Sequence, residues 1–281
     1  MVNKSLPIVA AIPNYNMDSQ LKMLLPEVLK QGYDRVYVLD DASTDASKAT
    51  VEGFGKGVTF VEGKVNLGGG GNRNRILGEL ATTSIVHFLD ADVTLESENM
   101  ADTIRSMGID TNVGFIGGLV LDESGVQSIW NYGPRQTLVS GLGAHLLWQL
   151  GREETRDKAP QRALLNLLSP RFKNRPVPGH SDIEKRKIFW ALESNLIIRS
   201  DTLEHLGGFD PNIREHDIQP LAFEAEKQGL YNLFDPSIVV TQHDVDVRDY
   251  NRDSEKIKAE LYLTKKYGIL RWLLNMPSKK V

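Results

Sequence analysis

The chain contains no cysteine. That excludes a disulfide framework, thiolate catalysis and any zinc or iron–sulfur centre held by sulfur, and it fits a reducing compartment. No apolar run approaches the ~18 residues that a membrane span requires. The opening stretch MVNKSLPIVAAI is too short for a signal peptide, and Pro13 ends it too abruptly. Positive charge is not in excess either: the net charge is −4 and the pI about 5.9, so no global field draws in nucleic acid. Internal repeats and low-complexity segments are absent. These absences lead us to expect a cytoplasmic protein, attached at most to the inner face of a membrane, with no nucleic-acid partner.

What is present is ordinary globular composition, 41% apolar and 25% charged over 281 residues. That length suits one large α/β domain or two small ones, with enough chain to bury a sizeable core. Short apolar runs alternate with helical patterns over the first 125 residues. Pro7–Ile12, Arg35–Leu39, Val58–Val61, Ser84–Leu89 and Phe115–Leu121 read as strands. Leu21, Leu24, Leu25, Val28 and Leu29 fall at helical spacing, although Pro26 is expected to kink or delay that helix. A second helix should end near Glu52, and a third should span Asn72–Leu80. Strands alternating with helices imply right-handed crossovers and a mainly parallel sheet, whose ligands bind beyond the carboxyl ends of the strands.

Four polar clusters directly follow predicted strands: PNYN, DDASTD, NLGGGGNRNR and LDADV. They should therefore converge on one sheet edge. In Asp90-Ala91-Asp92 the carboxylates point to one side of an extended chain, ~7 Å apart. Two such charges repel by about 2.5 kcal/mol at an effective dielectric of ~20. A divalent cation of the magnesium type, which wants oxygen ligands and substrate phosphates, turns that repulsion into attraction. The plainer alternative is a solvated strand end, or an N-cap ahead of Thr94. Asp40 and Asp41 either cap a helix starting near Ala46 or accept hydrogen bonds from a base or ribose edge. The run Asn66–Arg75 is neither a Walker A loop, since no Lys-Ser or Lys-Thr follows the glycines, nor a good dinucleotide fingerprint. It reads as a flexible backbone loop with Arg73 and Arg75 on the first helical turn, where arginine suits diphosphate or carboxylate recognition.

Beyond residue 125 the pattern loosens. Trp130, Tyr132, His145 and Trp148 surround a helix expected near 142–151, and a basic stretch covers 171–178. Order returns over Phe189–Ile198, then through a GGFDPN turn to a helix near 217–228. Trp130, Trp148 and Trp190 are either core aromatics or platforms for sugar rings. The last 30 residues form a basic amphipathic pattern carried by Ile257, Leu261, Leu263, Tyr267, Leu270, Trp272 and Leu273. That helix either docks its apolar face on the domain or lies on an anionic membrane surface.

The order PNYN, VLDDASTD, NLGGGGNRNRIL, FLDADV, LGGFD, EHD and VVTQHD resembles the family 2 glycosyltransferases of the GT-A fold. The likeness is strong over 7–125 and moderate over 188–243, with 126–187 unmatched. It implies an α/β fold, a Rossmann-like, mainly parallel mixed sheet flanked by helices, in one large domain with an acceptor subregion. It divides the chain into a nucleotide-sugar half (1–125), an acceptor and catalytic-base half (126–245) and a helical tail (246–281). It implies nucleotide binding by Pro13, Tyr15, Asp40, Asp41, Gly68, Arg73, Asn74, Asp90 and Ala91. Mn2+ or Mg2+ is implied on Asp90, Asp92 and His243. Asp217 is implied as catalytic base with Glu215 in reserve, although it also stands where a helix N-cap is expected. Trp190, Glu193 and Asn195 are implied at the sugar or acceptor. The activity implied is metal-dependent transfer of a sugar from a nucleotide diphosphate sugar, UDP-linked by preference, to a glycan, lipid-linked or protein hydroxyl with inversion. A retaining enzyme of the same fold stays open as an alternative, as does a non-catalytic sugar-nucleotide binding module. A sugar-1-phosphate nucleotidyltransferase is a further alternative, although it would carry a glycine-rich loop where this chain has Pro13-Asn14-Tyr15.

Overall fold

The computed structural model describes residues 6–128, 130–133, 183–243, 245–248 and 250–268. The helix expected near 142–151, the basic stretch 171–178, Trp148, Leu270, Trp272 and Leu273 lie outside them. In chain order the first half runs β1 (Ile8–Asn14), α1 (Asp18–Val28), β2 (Arg35–Asp40), α2 (Ser47–Glu52), β3 (Thr59–Val61), α3 (Gly68–Arg73), α4 (Ile76–Glu79), β4 (Ile85–Leu89), β5 (Val93–Leu95), α5 (Met100–Ser106) and β6 (Val113–Leu121). The second half adds β7 (Tyr132–Gly133), β8 (Arg186–Ile188), β9 (Trp190–Ala191), β10 (Asn195–Arg199), α6 (Ser200–His205), α7 (Ile218–Lys227), β11 (Tyr231–Gln242) and α8 (Arg252–Tyr267).

The result is an α/β fold whose main mixed sheet has the order β3-β2-β1-β4-β10-β6-β11-β5, with β8 also paired to β11, while β7 and β9 form a separate two-stranded sheet. The β3-β2-β1-β4 portion is parallel, as the alternating pattern requires. β10 is inserted antiparallel between β4 and β6. That insertion decides where the site lies. Because β10 runs backwards, its first residues meet the carboxyl end of β4, with Asn195 opposite Leu89. β11 is parallel to β6 and antiparallel to β5, so its last residue, Gln242, lies opposite Val93. The ends of β1, β2, β4, β6 and β11 and the start of β10 therefore share one edge.

Alternation along β1 builds the two faces. Ile8, Ala10 and Ile12 join the layer formed by α1 and α5, together with Leu21, Leu25, Met100 and Ile104. Val9 and Ala11 join the opposite layer, with Phe88, Phe115, Phe209 and Leu221. A smaller cluster of Ile213, Phe223, Ala259, Leu263 and Tyr267 docks α8 onto α7. Of the apolar positions expected on that tail, Leu263 and Tyr267 are buried there, while Ile257 and Leu261 are exposed. No helix among the described residues is long and apolar enough to cross a membrane.

Two expectations are corrected. Helix α1 starts at Asp18 with Pro26 inside its last turn, so the proline does not delay it. The glycine run is not a loop: Gly68–Arg73 is itself helical, which moves Arg73 from the first turn of a helix to the last residue of α3.

Candidate active site

A cavity of about 1110 Å³ opens at the shared edge, lined by the ends of β1 and β4, the α3 glycines, the segment before α7 and the C-terminal segment through α8. Its geometry is set by where three carboxylates send their oxygens.

Asp41 does not cap α2, whose N-cap position is Ala46. It caps the glycine helix, accepting from Leu67 N and Gly68 N, both at 2.8 Å, and from Arg75 Nη2 at 3.3 Å. Burial raises the pKa of its carboxyl, and those three donors oppose the rise. Asp40 turns inward instead, accepting from Asn14 Nδ2 at 3.0 Å and Ser43 N at 3.0 Å, and it does not line the cavity.

The glycines of α3 let it press against the segment before α7. A Cβ added at Gly70 would lie 2.9 Å from Asp217 Cβ and 3.1 Å from Phe209 Cβ. Gly68 has φ +76°, which a side chain would strain. This close approach places Arg73, almost fully buried, between two acids. Its Nη2 donates to Asp90 Oδ1 at 2.6 Å and its Nη1 to Asp217 Oδ2 at 3.2 Å. Burial alone would disfavour the cation, and the charges of Asp90 and Asp217 outweigh it. Asn74 next to it serves the fold: it donates to Phe209 O and accepts from Phe209 N, both at 2.8 Å, and is absent from the cavity lining.

Asp217 stands at the N-cap position of α7, yet its side chain makes no cap hydrogen bond. That role falls to Glu193, whose Oε1 accepts from Ile218 N at 3.1 Å. Asp217 is thereby left to Arg73 and the cavity. Burial, and next the Asp217 carboxylate beside it, push the Glu193 carboxyl well above the usual range. His216, the preceding residue, holds the left-handed φ of 58°, which sets the turn into Asp217. Glu215 points away from Asp217's partners to the C-terminal segment, accepting from Tyr250 Oη and Arg252 Nε at 3.2 Å, with Arg248 Nε at 3.6 Å.

The Asp90–Asp92 segment is a tight link between β4 and β5 rather than a helix N-cap. Asp90 keeps 28% of its side chain exposed, whereas Asp92 is buried and accepts from Val245 N at 2.9 Å. His243 N donates to Asp92 O at 3.0 Å, but its imidazole pairs with Thr94 Oγ1 at 2.8 Å and Glu123 Oε1 at 3.2 Å. Among the described residues no three His, Asp or Glu side chains gather as a ready metal cluster, so the expected trio of Asp90, Asp92 and His243 is not assembled. The donor set still suits a hard divalent cation in kind, with two carboxylates beside the cavity and one of them open to it.

The architecture can be compared with known proteins. The family model described as "Glycosyl transferase family 2" matches residues 9–166, more than half of the chain. The chain belongs to glycosyl transferase family 2. The match extends into the stretch that motif resemblance leaves open and stops before the LGGFD and EHD motifs. No curated protein sequence matches the chain. Among solved structures, it is similar to a mannosyltransferase, PcManGT, from Pyrobaculum calidifontis in complex with GDP-Man and Mn2+, with 18% identity and a TM-score of 0.57 over 94% of this chain and 65% of that one. It is also similar to GalNAc-T7 with UDP, GalNAc and Mn2+, with 14% identity and a TM-score of 0.62 over 94% of this chain and 48% of that one. A third likeness is to S. aureus TarS 1-349 in complex with UDP-GlcNAc, with 18% identity and a TM-score of 0.51 over 89% of this chain and 61% of that one. At such identities the likeness is one of fold, the GT-A arrangement, and the chain spans only about half to two thirds of each neighbour.

Of the residues singled out in the sequence, Pro13, Tyr15, Asp41, Gly68, Arg73 and Asp90–Asp92 line the cavity from the first half. Trp190, Glu193, Glu215, Asp217 and His243 line it from the second. Asn195 does not: it bonds His87 Nε2 at 2.8 Å and the carbonyls of Leu119 and Ile238 at 3.1 Å, inside the core. Sequence reasoning missed Arg214, whose guanidinium lies 5.4 Å from the Tyr250 ring centre, and the wall formed by Arg248, Tyr250, Arg252 and Lys256. The four-residue spacing of Arg248, Arg252 and Lys256 was the available signal.

Proposed function

We propose that this protein is a metal-dependent glycosyltransferase that moves a sugar from a nucleotide diphosphate sugar to a hydroxyl acceptor with inversion, using Asp217 as general base. The observation that carries the reading is that Asp217 occupies a helix N-cap yet withholds its carboxylate from the helix, presenting it to the cavity on Arg73, which also holds Asp90. Family membership supports the reaction class, and the solved neighbours' complexes with GDP-Man, UDP and UDP-GlcNAc support the donor class. In this reading residues 1–125 hold the donor, 126–245 supply the acceptor subsite and base, and 246–268 close one wall.

Asp90 and Asp92 would hold Mn2+ or Mg2+, which supplies charge neutralisation for the diphosphate when bound. The chain's own residues do the rest. Asp41 and the amides it caps shape the floor of the nucleotide subsite, beside Pro13 and Tyr15. Asp217 accepts the acceptor hydroxyl proton as that oxygen attacks the anomeric carbon. The bond from that carbon to the phosphate oxygen breaks, the nucleotide diphosphate departs with the electron pair, and opposite-face attack inverts the configuration. Arg73 fixes the Asp217 carboxylate in direction.

A thermal-shift screen of UDP-, GDP- and dTDP-sugars, with and without Mn2+, tests the donor assignment, because a ligand preferring the folded state raises the midpoint. Metal-dependent stabilisation by at least one donor is expected. No shift with any of them, metal present, overturns it.

A further inference from the structure

The segment between β9 and β10 carries a carboxyl that the reaction as described leaves unused. We propose that Glu193 is a positioning residue for the candidate base, gripping both the Asp217 side chain and the backbone amide that follows it. This rests on Asp217 being the base. Three observations converge. Glu193 Oε1 accepts from Ile218 N at 3.1 Å, so it supplies the cap that Asp217 does not. Its carboxyl lies beside the Asp217 carboxylate, close enough for that charge to help push it up. It lies on the cavity wall just ahead of β10, the strand inserted backwards beside β4, which is what brings it to this edge.

Two carboxyls this close cannot both ionise cheaply. The charged and titratable groups facing the pair are Arg73, from α3, with Asp90 beyond it, and Tyr250, from the C-terminal segment. One guanidinium already serves two carboxylates there, so a third anion would be left uncompensated. Glu193 therefore keeps its proton and donates it in a hydrogen bond to Asp217, in keeping with the upward push on its carboxyl from burial and from Asp217. Held by that bond and by Arg73, the Asp217 carboxylate has its direction set from two sides on the cavity wall.

Carboxyl carbon NMR of glutamate-labelled protein tests the pairing without any acceptor. The Glu193 resonance, identified by its loss in Glu193→Gln, should titrate above ordinary glutamates and move down in Asp217→Asn, where the neighbouring charge is gone. An ordinary Glu193 titration, or one unmoved in Asp217→Asn, overturns the pairing. The kinetic arm asks whether the pairing matters. Glu193→Ala should lower kcat about 100-fold at little change in donor KM, the scale of a base misplaced by about 1 Å. Glu193→Gln, which retains a donor and an acceptor, should rescue much of that loss and flatten the alkaline fall of the wild-type pH profile. Wild-type kcat in Glu193→Ala, or an unaltered alkaline limb in Glu193→Gln, overturns the positioning role while leaving Asp217 as base. Normal transfer by Asp217→Asn instead overturns the base assignment itself.

Discussion

Replacing Gly70 by alanine should damage the base more than the fold. In the middle of α3 the substitution removes a helix-weakening glycine, worth about 0.8–1 kcal/mol in favour of alanine. Against that, the added methyl would lie 2.9 Å from Asp217 Cβ, 3.0 Å from Asp217 Oδ2 and 3.1 Å from Phe209 Cβ. Contacts that short force a shift of a few tenths of an ångström or more, and overpacking of this kind costs about 1–3 kcal/mol. The two effects nearly cancel in stability, leaving a net loss of roughly 0–2 kcal/mol. For a chain of this size that lowers Tm by at most about 8 °C, at about 2–4 °C per kcal/mol. Activity has no compensating term, because the group displaced is the proposed base: a misplacement of about 1 Å costs on the order of 100-fold in kcat. Gly78 in α4 is the matched control, since a Cβ there meets nothing within 4 Å. Gly78→Ala should raise stability by about 0.4–1 kcal/mol and leave kcat unchanged. Thermal melts with steady-state kinetics on both variants read the comparison. If Gly70→Ala keeps wild-type kcat, the argument that the glycine run exists to seat Asp217 is refuted.

Three further perturbations test other parts of the site. Arg73→Leu removes the cation buried between Asp90 and Asp217, and should cost about 3–5 kcal/mol by denaturant unfolding. Asn74→Ala leaves the Phe209 amide and carbonyl without their partner and should cost about 1–3 kcal/mol, with nucleotide affinity by calorimetry preserved. Burial raises the Glu260 carboxyl to about 7, against 4.5 unperturbed. A raised acid binds its proton more tightly folded than unfolded, so its contribution is complete below the unfolded value and is lost as pH rises towards 7. Stability should fall by roughly 2–3 kcal/mol across that window, and Glu260→Gln should remove this dependence in urea titrations at several pH values.

The first half of the fold was legible because its physics is local. Strands such as β1 are continuous apolar runs (residues 8–12), and polar residues at their carboxyl ends in a parallel sheet must converge. Asp90, Asp92 and Asp41 were found that way. The second half depends on pairing between residues far apart in sequence, which no local pattern carries. Nothing in WALESNLIIRS indicates that β10 runs backwards between β4 and β6, so Glu193 gained only a family-based assignment and its link to Ile218 was invisible. The glycines illustrate the same limit. Four of them in a row suggested a loop beneath a ligand, whereas they form a helix whose missing side chains admit Asp217, which stands 147 positions after Gly70. The capping ambiguity at Asp217 likewise needed coordinates, because an N-cap that does not cap looks identical in sequence to one that does.

Whether Asp217 is the general base is read from donor turnover by Asp217→Asn, measured as release of nucleotide diphosphate at saturating donor and Mn2+. Donor binding should match that of the wild type by thermal shift, with turnover reduced by about 100- to 10,000-fold, the share that a positioned general base contributes. Turnover at the wild-type rate with donor bound would contradict that role.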